Sequence, residues 1–215
     1  MSGRYLFTLI LIIISTSCAQ NKKGNSTETN KPNIIYILAD DLGYGDLSCY
    51  GQTHFSTPNI DKLAKEGLLF TQHYAGSTVC APSRSALMTG QHTGHTPIRG
   101  NKKIELPKET YTVAELLKEN GYATGGFGKW GLGSSGLEGD PLNQGFDTFF
   151  GFHDQMLAHH YYPNYLWDND NVFNLKENEG LKKGQYAPSL IHQRALSFID
   201  NHKNEPFFLY YPSII

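Results

Sequence analysis

The sequence has little of what marks several protein classes. Three cysteines in 215 residues cannot build a dense disulfide framework or a four-cysteine zinc site. Charge of one sign is missing: 18 basic residues stand against 20 acidic ones, for a net charge of −2. Nothing in that balance marks a nucleic-acid partner or an acidic solvating segment. The apolar run Tyr5 to Ile14 has ten residues, about half of the roughly 20 that a helix needs to cross a bilayer. What is present is an ordinary globular composition, 39% hydrophobic, 13% aromatic and 18% charged, which excludes collagen, coiled coil and wholesale disorder. The length fits one domain, or one and a half. Glycine is plentiful, at 22 residues, so tight turns and close backbone approaches are expected.

Residues 1–17 have the layout of a secretory signal peptide: Arg4, the apolar run, then Ser15-Thr16-Ser17. Cys18 follows, and the whole resembles a bacterial lipoprotein signal, in which that cysteine is acylated. The bland alternative is a buried N-terminal strand with an incidental Cys18. Export is expected, to the periplasm or as an outer-membrane lipoprotein, with membrane contact only through the N-terminal lipid. Residues 18–31 form a polar tether without apolar periodicity.

Strand and helix signals alternate from Pro32 onward. Ile34 to Ala39 reads as a strand buried on both faces. Thr57-Pro58 opens a helix, with Thr57 as N-cap, that ends at Gly67. Leu68 to Tyr74 reads as a second strand. Thr112 and Glu115 form a capping box, Gly121 closes that helix, and Tyr122 to Phe127 returns as a strand. Ile191, Ala195, Phe198 and Ile199 share one helical face. Phe207 to Tyr211 is a final strand. No internal repeat is visible. These units predict an α/β sandwich, with helices around a mixed, mostly parallel central sheet.

Ligands of such folds bind beyond the carboxyl ends of the strands. Asp40 and Asp41 stand at one such end, before Gly43 and Gly45. Paired carboxylates there suit a hard cation such as Ca²⁺, although Asp is also common in solvated turns. In Cys80-Ala81-Pro82-Ser83-Arg84, Pro82 is placed to begin a helix, and Thr89-Gly90 to end it. Cys80 then lies at or just before a helix N-terminus, where free N–H groups favour an anion. Arg84, about one turn along, is able to face the same site.

Cys80 to Arg84 with Leu87 and Thr89-Gly90 resembles the signature of the formylglycine-dependent sulfatases, of the alkaline-phosphatase-like superfamily. Asn33 to Asp41, Thr57-Pro58-Asn59-Ile60-Asp61, Gly128-Lys129-Trp130 and Gly145-Phe146-Asp147 match the same family, in the same order. The resemblance implies that a separate formylglycine-generating enzyme oxidises Cys80 to Cα-formylglycine, whose hydrate attacks a sulfate ester. It implies that Asp40, Asp41 and modified Cys80 ligate Ca²⁺ (or Mg²⁺), that Arg84 stabilises the deprotonated diol, and that Lys129 contacts sulfate. The implied substrate is a sulfated small molecule or polysaccharide. Two relatives of this reading are a formylglycine-dependent phosphoester or phosphonate monoester hydrolase, and a non-catalytic anion- or glycan-binding remnant.

Two features depart from the family pattern. Gly131 stands where the family often has a histidine, and His159 or His160 is a candidate to approach the substrate instead. The family's later histidine, Asp–Asn pair and second lysine follow the position reached at Ile215. Residues 32–215 are therefore expected to be the N-terminal part of a sulfatase catalytic domain, with too few ligands of its own to fill a Ca²⁺ shell and with exposed apolar edges. Cys49, left without a partner, is expected to be a buried thiol. Tyr161, Tyr162, Tyr165 and Trp167 are candidates for stacking on sugar rings or for packing.

Overall fold

The computed structural model describes residues 31–102 and 104–214. The segment 1–17, Cys18 and nearly all of the polar tether lie outside the described residues. In chain order the elements are β1 (Ile34–Ala39), α1 (Pro58–Glu66), α2 (Cys80–Thr89), α3 (Val113–Glu119), β2 (Ala123–Lys129), β3 (Thr148–Phe152), β4 (Tyr165–Asp168), β5 (Asn171–Asn174), α4 (Ala187–His202) and β6 (Phe207–Ser213). The strands form one sheet in the order β1-β6-β2-β3-β4-β5. Neighbours β1, β6, β2 and β3 are parallel, and β4 and β5 extend the sheet as an antiparallel hairpin. The expected α/β sandwich around a mixed, mostly parallel sheet is what forms.

The alternation of β6 explains the two layers. Phe207 and Leu209 pack with Ile191, Ala195 and Phe198 of α4. Phe208 and Tyr210 pack on the opposite face with Met88 of α2, Ala114 of α3, Trp130 and Phe149. Each buried Leu, Ile, Phe or Met among them contributes about 1.5–3 kcal/mol through removal from water. The helical face read from Ile191, Ala195, Phe198 and Ile199 is the one α4 turns to the sheet. The capping box also forms: Thr112 Oγ1 accepts from Glu115 N–H at 3.2 Å, and Glu115 accepts from Thr112 N–H at 2.8 Å.

Several local readings are corrected. Residues 68–74 form no strand. Their apolar side chains do not alternate in and out, and Leu68, Phe70 and Tyr74 all face solvent. Strand β1 is buried on one face only: Ile34, Tyr36 and Leu38 pack against the core, while Ile35 and Ile37 are exposed. Thr57 holds the N-cap position of α1 without a capping bond, because its hydroxyl is given to Asp61 at 2.9 Å. The second strand along the chain runs to Lys129 and the last to Ser213. Cys49 is half-buried and a free thiol.

Gly128 shows why the sheet accepts glycine at its centre. Its φ is +138°, and a Cβ there would lie 2.1 Å from the Pro212 carbonyl oxygen. Strands β2 and β6 therefore approach at a point where only glycine fits. No helix of the described residues is long and apolar enough to cross a membrane.

Candidate active site

The site is built where β1, β2 and α2 end or begin. Asp40 follows β1 directly, and its N–H donates to the Ser213 carbonyl at 2.9 Å, prolonging the β1–β6 ladder by one bond. Asp41 turns out of the strand with φ of +61°, in the left-handed region that Asp tolerates better than most residues. Helix α2 begins at Cys80 itself, two residues earlier than Pro82 suggested, with Val79 as N-cap. The free N–H of Ala81 donates to Asn101 Oδ1 at 3.0 Å. Lys129 closes β2.

These residues meet around Asp40. Its Oδ1 accepts from Arg84 Nη2 at 2.9 Å and its Oδ2 from Lys129 Nζ at 2.8 Å. Lys129 Nζ is also 3.3 Å from Cys80 Sγ. Arg84 and Lys129 are fully buried side chains, so their charges act with little screening. Arg84 donates further to the Lys129 carbonyl and, at 3.2 Å, to the Tyr210 hydroxyl. One guanidinium thus ties α2, β1, β2 and β6 together. Burial pushes the Asp40 carboxyl up, but the hydrogen bond from Lys129 and the Arg84 and Lys129 charges outweigh it and hold it below the usual range. Burial also opposes the charge on Arg84; Tyr210, Asp40 and Cys80 overcome it and raise its pKa.

Oxygen atoms of Asp40 and Asp41 and the sulfur of Cys80 lie within 4.8 Å of one another, at a cavity of about 350 Å³ that Ser83 and Arg84 also line. The carboxylates fit a hard cation, whereas the thiol is a soft donor. An oxygen at the Cys80 position, as in a hydrated aldehyde, would complete a set of hard donors. The donor chemistry therefore fits Ca²⁺ better after modification of Cys80 than before.

The structure brings Asp40, Asp41, Cys80, Arg84 and Lys129 together, as the sequence suggested. It does not bring the two histidines to them. His159 and His160 are exposed, and neither hydrogen-bonds to that cluster. His159 lines a separate cavity beside Gly131, and both histidines line another with Tyr161, Tyr162, Lys182 and Lys183. Tyr165 and Trp167 belong to β4, and Trp167 stacks on His153.

Sequence reading missed Asn101, Tyr210 and His153. Tyr210 lies in a strand whose inward face was legible, but its hydroxyl contact with Arg84 spans 126 positions. The other matched segments turn out to be latches. Asp61 accepts from Ser48 Oγ, Cys49 N–H and Thr57 Oγ1 at 2.6, 2.9 and 2.9 Å, which closes the loop that follows the Asp40–Asp41 pair. Asp147 accepts from the Thr124 N–H at 2.9 Å and pairs with Lys118 at 2.8 Å.

The α/β fold is of the alkaline-phosphatase-like class, and comparison with known proteins gives the family. The Sulfatase family model matches residues 32–214, and the chain belongs to that family. It is 35% identical to an N-acetylgalactosamine-6-O-sulfatase of Bacteroides thetaiotaomicron, across 97% of this chain and 53% of the relative. A sulfatase structure described under glycosaminoglycan metabolism by the same organism superposes with a TM-score of 0.72 at 33% identity, covering 86% of this chain and 51% of the other. A third protein, solved with its substrate D-glucosamine-2-N,6-O-disulfate, gives a TM-score of 0.71 at 31% identity, over 85% of this chain and 34% of its own. The chain spans about half the length of the first two.

Proposed function

We propose that this chain carries the nucleophile end of a sulfate ester hydrolase acting on sulfated carbohydrate. One observation carries the reading: Cys80 opens a buried helix with Lys129 Nζ 3.3 Å from its sulfur and two carboxylates beside it. A nucleophile, an anion-holding cation and a cation-holding acid pair thus share one pocket, as displacement at a sulfate centre requires.

Conversion of Cys80 to the aldehyde is a two-electron oxidation of Cβ. Its sulfur leaves as H₂S, a water-derived oxygen takes its place, and a separate enzyme passes the two electrons and two protons to an oxidant of its own, such as dioxygen. Hydrated, the aldehyde offers two hydroxyls on one carbon, so that one displaces the alcohol at sulfur and the other lets sulfate leave with the aldehyde restored and one water consumed. A divalent cation held by Asp40, Asp41 and that oxygen would supply Lewis-acid stabilisation of the sulfate charge. The chain's own residues do the rest. Lys129 presents Nζ to a sulfate oxygen from a buried strand end. Asp40 keeps that nitrogen in place. Arg84 fixes Asp40 against the Lys129 carbonyl, so the donors are set before substrate arrives.

Sulfated sugar as substrate rests on the neighbours: one was solved with a disulfated glucosamine and another with a neocarrahexaose. We further infer export through residues 1–17, with Cys18 as the lipid-bearing residue, from the layout of that segment. The test of function has two parts. Mass spectrometry of the Cys80 peptide from the native host reads the conversion to aldehyde. Paired rates on an aryl sulfate and the matching aryl phosphate then read the chemistry, and sulfate release at the higher rate is expected. Unmodified Cys80, or phosphate released faster than sulfate, would overturn the reading.

A further inference from the structure

A cavity of about 360 Å³ shares no lining residue with the one at Cys80. Its volume falls in the range of about 300–1,000 Å³ usual for small-ligand sites. Two segments build its wall: His159, His160, Tyr161 and Tyr162 on one side, and Leu181, Lys182 and Lys183 on the other. None of these lining residues is acidic. Glu177 and Glu179 stand on the stretch of chain that leads to the lysines but do not line the cavity.

The two segments are fastened to each other by a buried amide. Asn178 is 1% exposed, and its Nδ2 donates to the Pro163 carbonyl at 2.7 Å and to the Gln185 carbonyl at 2.9 Å. Its Oδ1 accepts from the Gln185 N–H at 2.8 Å. The Ala187 N–H, at the start of α4, donates to the Tyr161 carbonyl at 2.9 Å. Both walls are therefore set before any ligand arrives, which lowers the cost of binding. Leu181 holds a φ of +68°, a costly conformation for leucine. The residue is 97% exposed, so no packing of its side chain offsets that strain, and the turn leads directly into the two lysines.

Cation and aromatic ring come together here. Lys183 Nζ lies 5.8 Å from the centre of the Tyr162 ring, and Tyr186 packs beside that ring with centroids 5.4 Å apart. An ammonium attracts an anion, an imidazole offers at least one N–H donor, and a tyrosine ring gives the apolar face of a sugar a flat surface. A sugar that carries a negative charge uses all three; a free anion or a neutral sugar does not.

We propose that this cavity is a second carbohydrate site, which holds a sulfated sugar unit of a polysaccharide other than the unit being hydrolysed. The inference rests on the sulfated-carbohydrate reading and adds to it an anchor for the polymer away from the cysteine centre. Lys182 and Lys183 face the sulfate, Tyr162 the ring. A second point of attachment keeps the polymer near the protein between encounters with the centre.

The test is calorimetry with a sulfated neocarrahexaose and with its desulfated counterpart. The protein is Cys80→Ala, which binds without turnover, alone and combined with Lys182→Ala/Lys183→Ala or with Tyr162→Ala. The lysines are exposed, so their removal leaves the fold intact, and the tyrosine variant is an independent check. Each combination is expected to raise the dissociation constant of the sulfated hexasaccharide about five- to tenfold, the loss of two exposed ion pairs or of one ring contact. Added salt should weaken binding less once the lysines are gone. Unchanged affinity in the folded variants, or equal affinity for the sulfated and desulfated sugars, overturns the site. Aryl sulfate hydrolysis reads the reaction separately. With Cys80 converted, the lysine variant is expected to keep the wild-type kcat/KM on an aryl sulfate, and a fall would place the lysines in the reaction centre and overturn a separate site. Protein that turns over no sulfate ester, yet loses hexasaccharide affinity with its lysines, overturns the reaction and leaves the cavity standing.

Discussion

Lys129 Nζ stands 3.3 Å from Cys80 Sγ, although the two residues are 49 positions apart. The strand that ends at Lys129 and the helix that starts at Cys80 meet where Arg84 bridges them: it reaches from α2 to the Lys129 carbonyl and to Asp40. The Cys80 end of α2 is thus held by a buried charge network rather than by a loop.

Lys129 has no exposed side-chain surface, so its charge is close to full strength. Lys129→Met is expected to lower kcat by about 10²–10³, the range for removing one preorganised electrostatic contact. Steady-state kinetics on an aryl sulfate check this. A change confined to KM would place the lysine in ground-state binding only.

Arg84 is expected to matter for folding as well. Arg84→Met leaves Asp40 with Lys129 alone and should cost about 3–5 kcal/mol, as breaking a buried ion pair does. Arg84→Lys should rescue little, because one ammonium cannot reach Asp40, Tyr210 and the Lys129 carbonyl together. Urea denaturation of the two variants measures both statements.

Gly128→Ala puts a Cβ 2.1 Å from the Pro212 carbonyl. The clash is with backbone, so strands β2 and β6 must separate. A loss of several kcal/mol, seen as insoluble protein or a melting temperature far below wild type, is the expected outcome.

Stability should depend on pH through His153. In the unfolded chain its pKa is near 6.5 and in the fold about 4, so below pH 6.5 the unfolded state binds a proton that the folded state refuses. Stability then falls as pH drops from about 6.5 towards 4 and levels off below, by up to about 3 kcal/mol in all. His153→Phe should flatten that part of the profile. Denaturation midpoints across pH 4–7 decide it.

Asp41 is exposed. Ca²⁺ at about 100-fold its dissociation constant would add about 2.7 kcal/mol of stability. Asp41→Asn, which tolerates the same left-handed backbone, should abolish most of that gain while leaving the melting temperature without metal nearly unchanged. Thermal melts with Ca²⁺ and with chelator read both effects.

Legibility followed the range of the forces involved. The capping box of Thr112 and Glu115, the apolar face of α4 and the strand-end position of Asp40 and Asp41 are set by neighbours within a few residues, and each was readable. The pairing of Cys80 with Lys129 was readable only through resemblance, since no local rule joins positions 49 apart. Residues 68–74 looked like a strand because several of their side chains are apolar, but a strand needs a partner, and no described strand pairs with them. The β4–β5 hairpin escaped notice because its residues alternate weakly. His153 escaped because the signal is an unmet hydrogen-bonding capacity, which only coordinates reveal.

The most direct test of a sulfatase centre is inorganic sulfate released from a sulfated monosaccharide by protein purified with Cys80 converted, set beside Cys80→Ala made in the same way. Sulfate appearing with wild type and falling to background with the variant is the predicted result. Equal release by both proteins, or none from wild type whose Cys80 is shown to be the aldehyde, would contradict it.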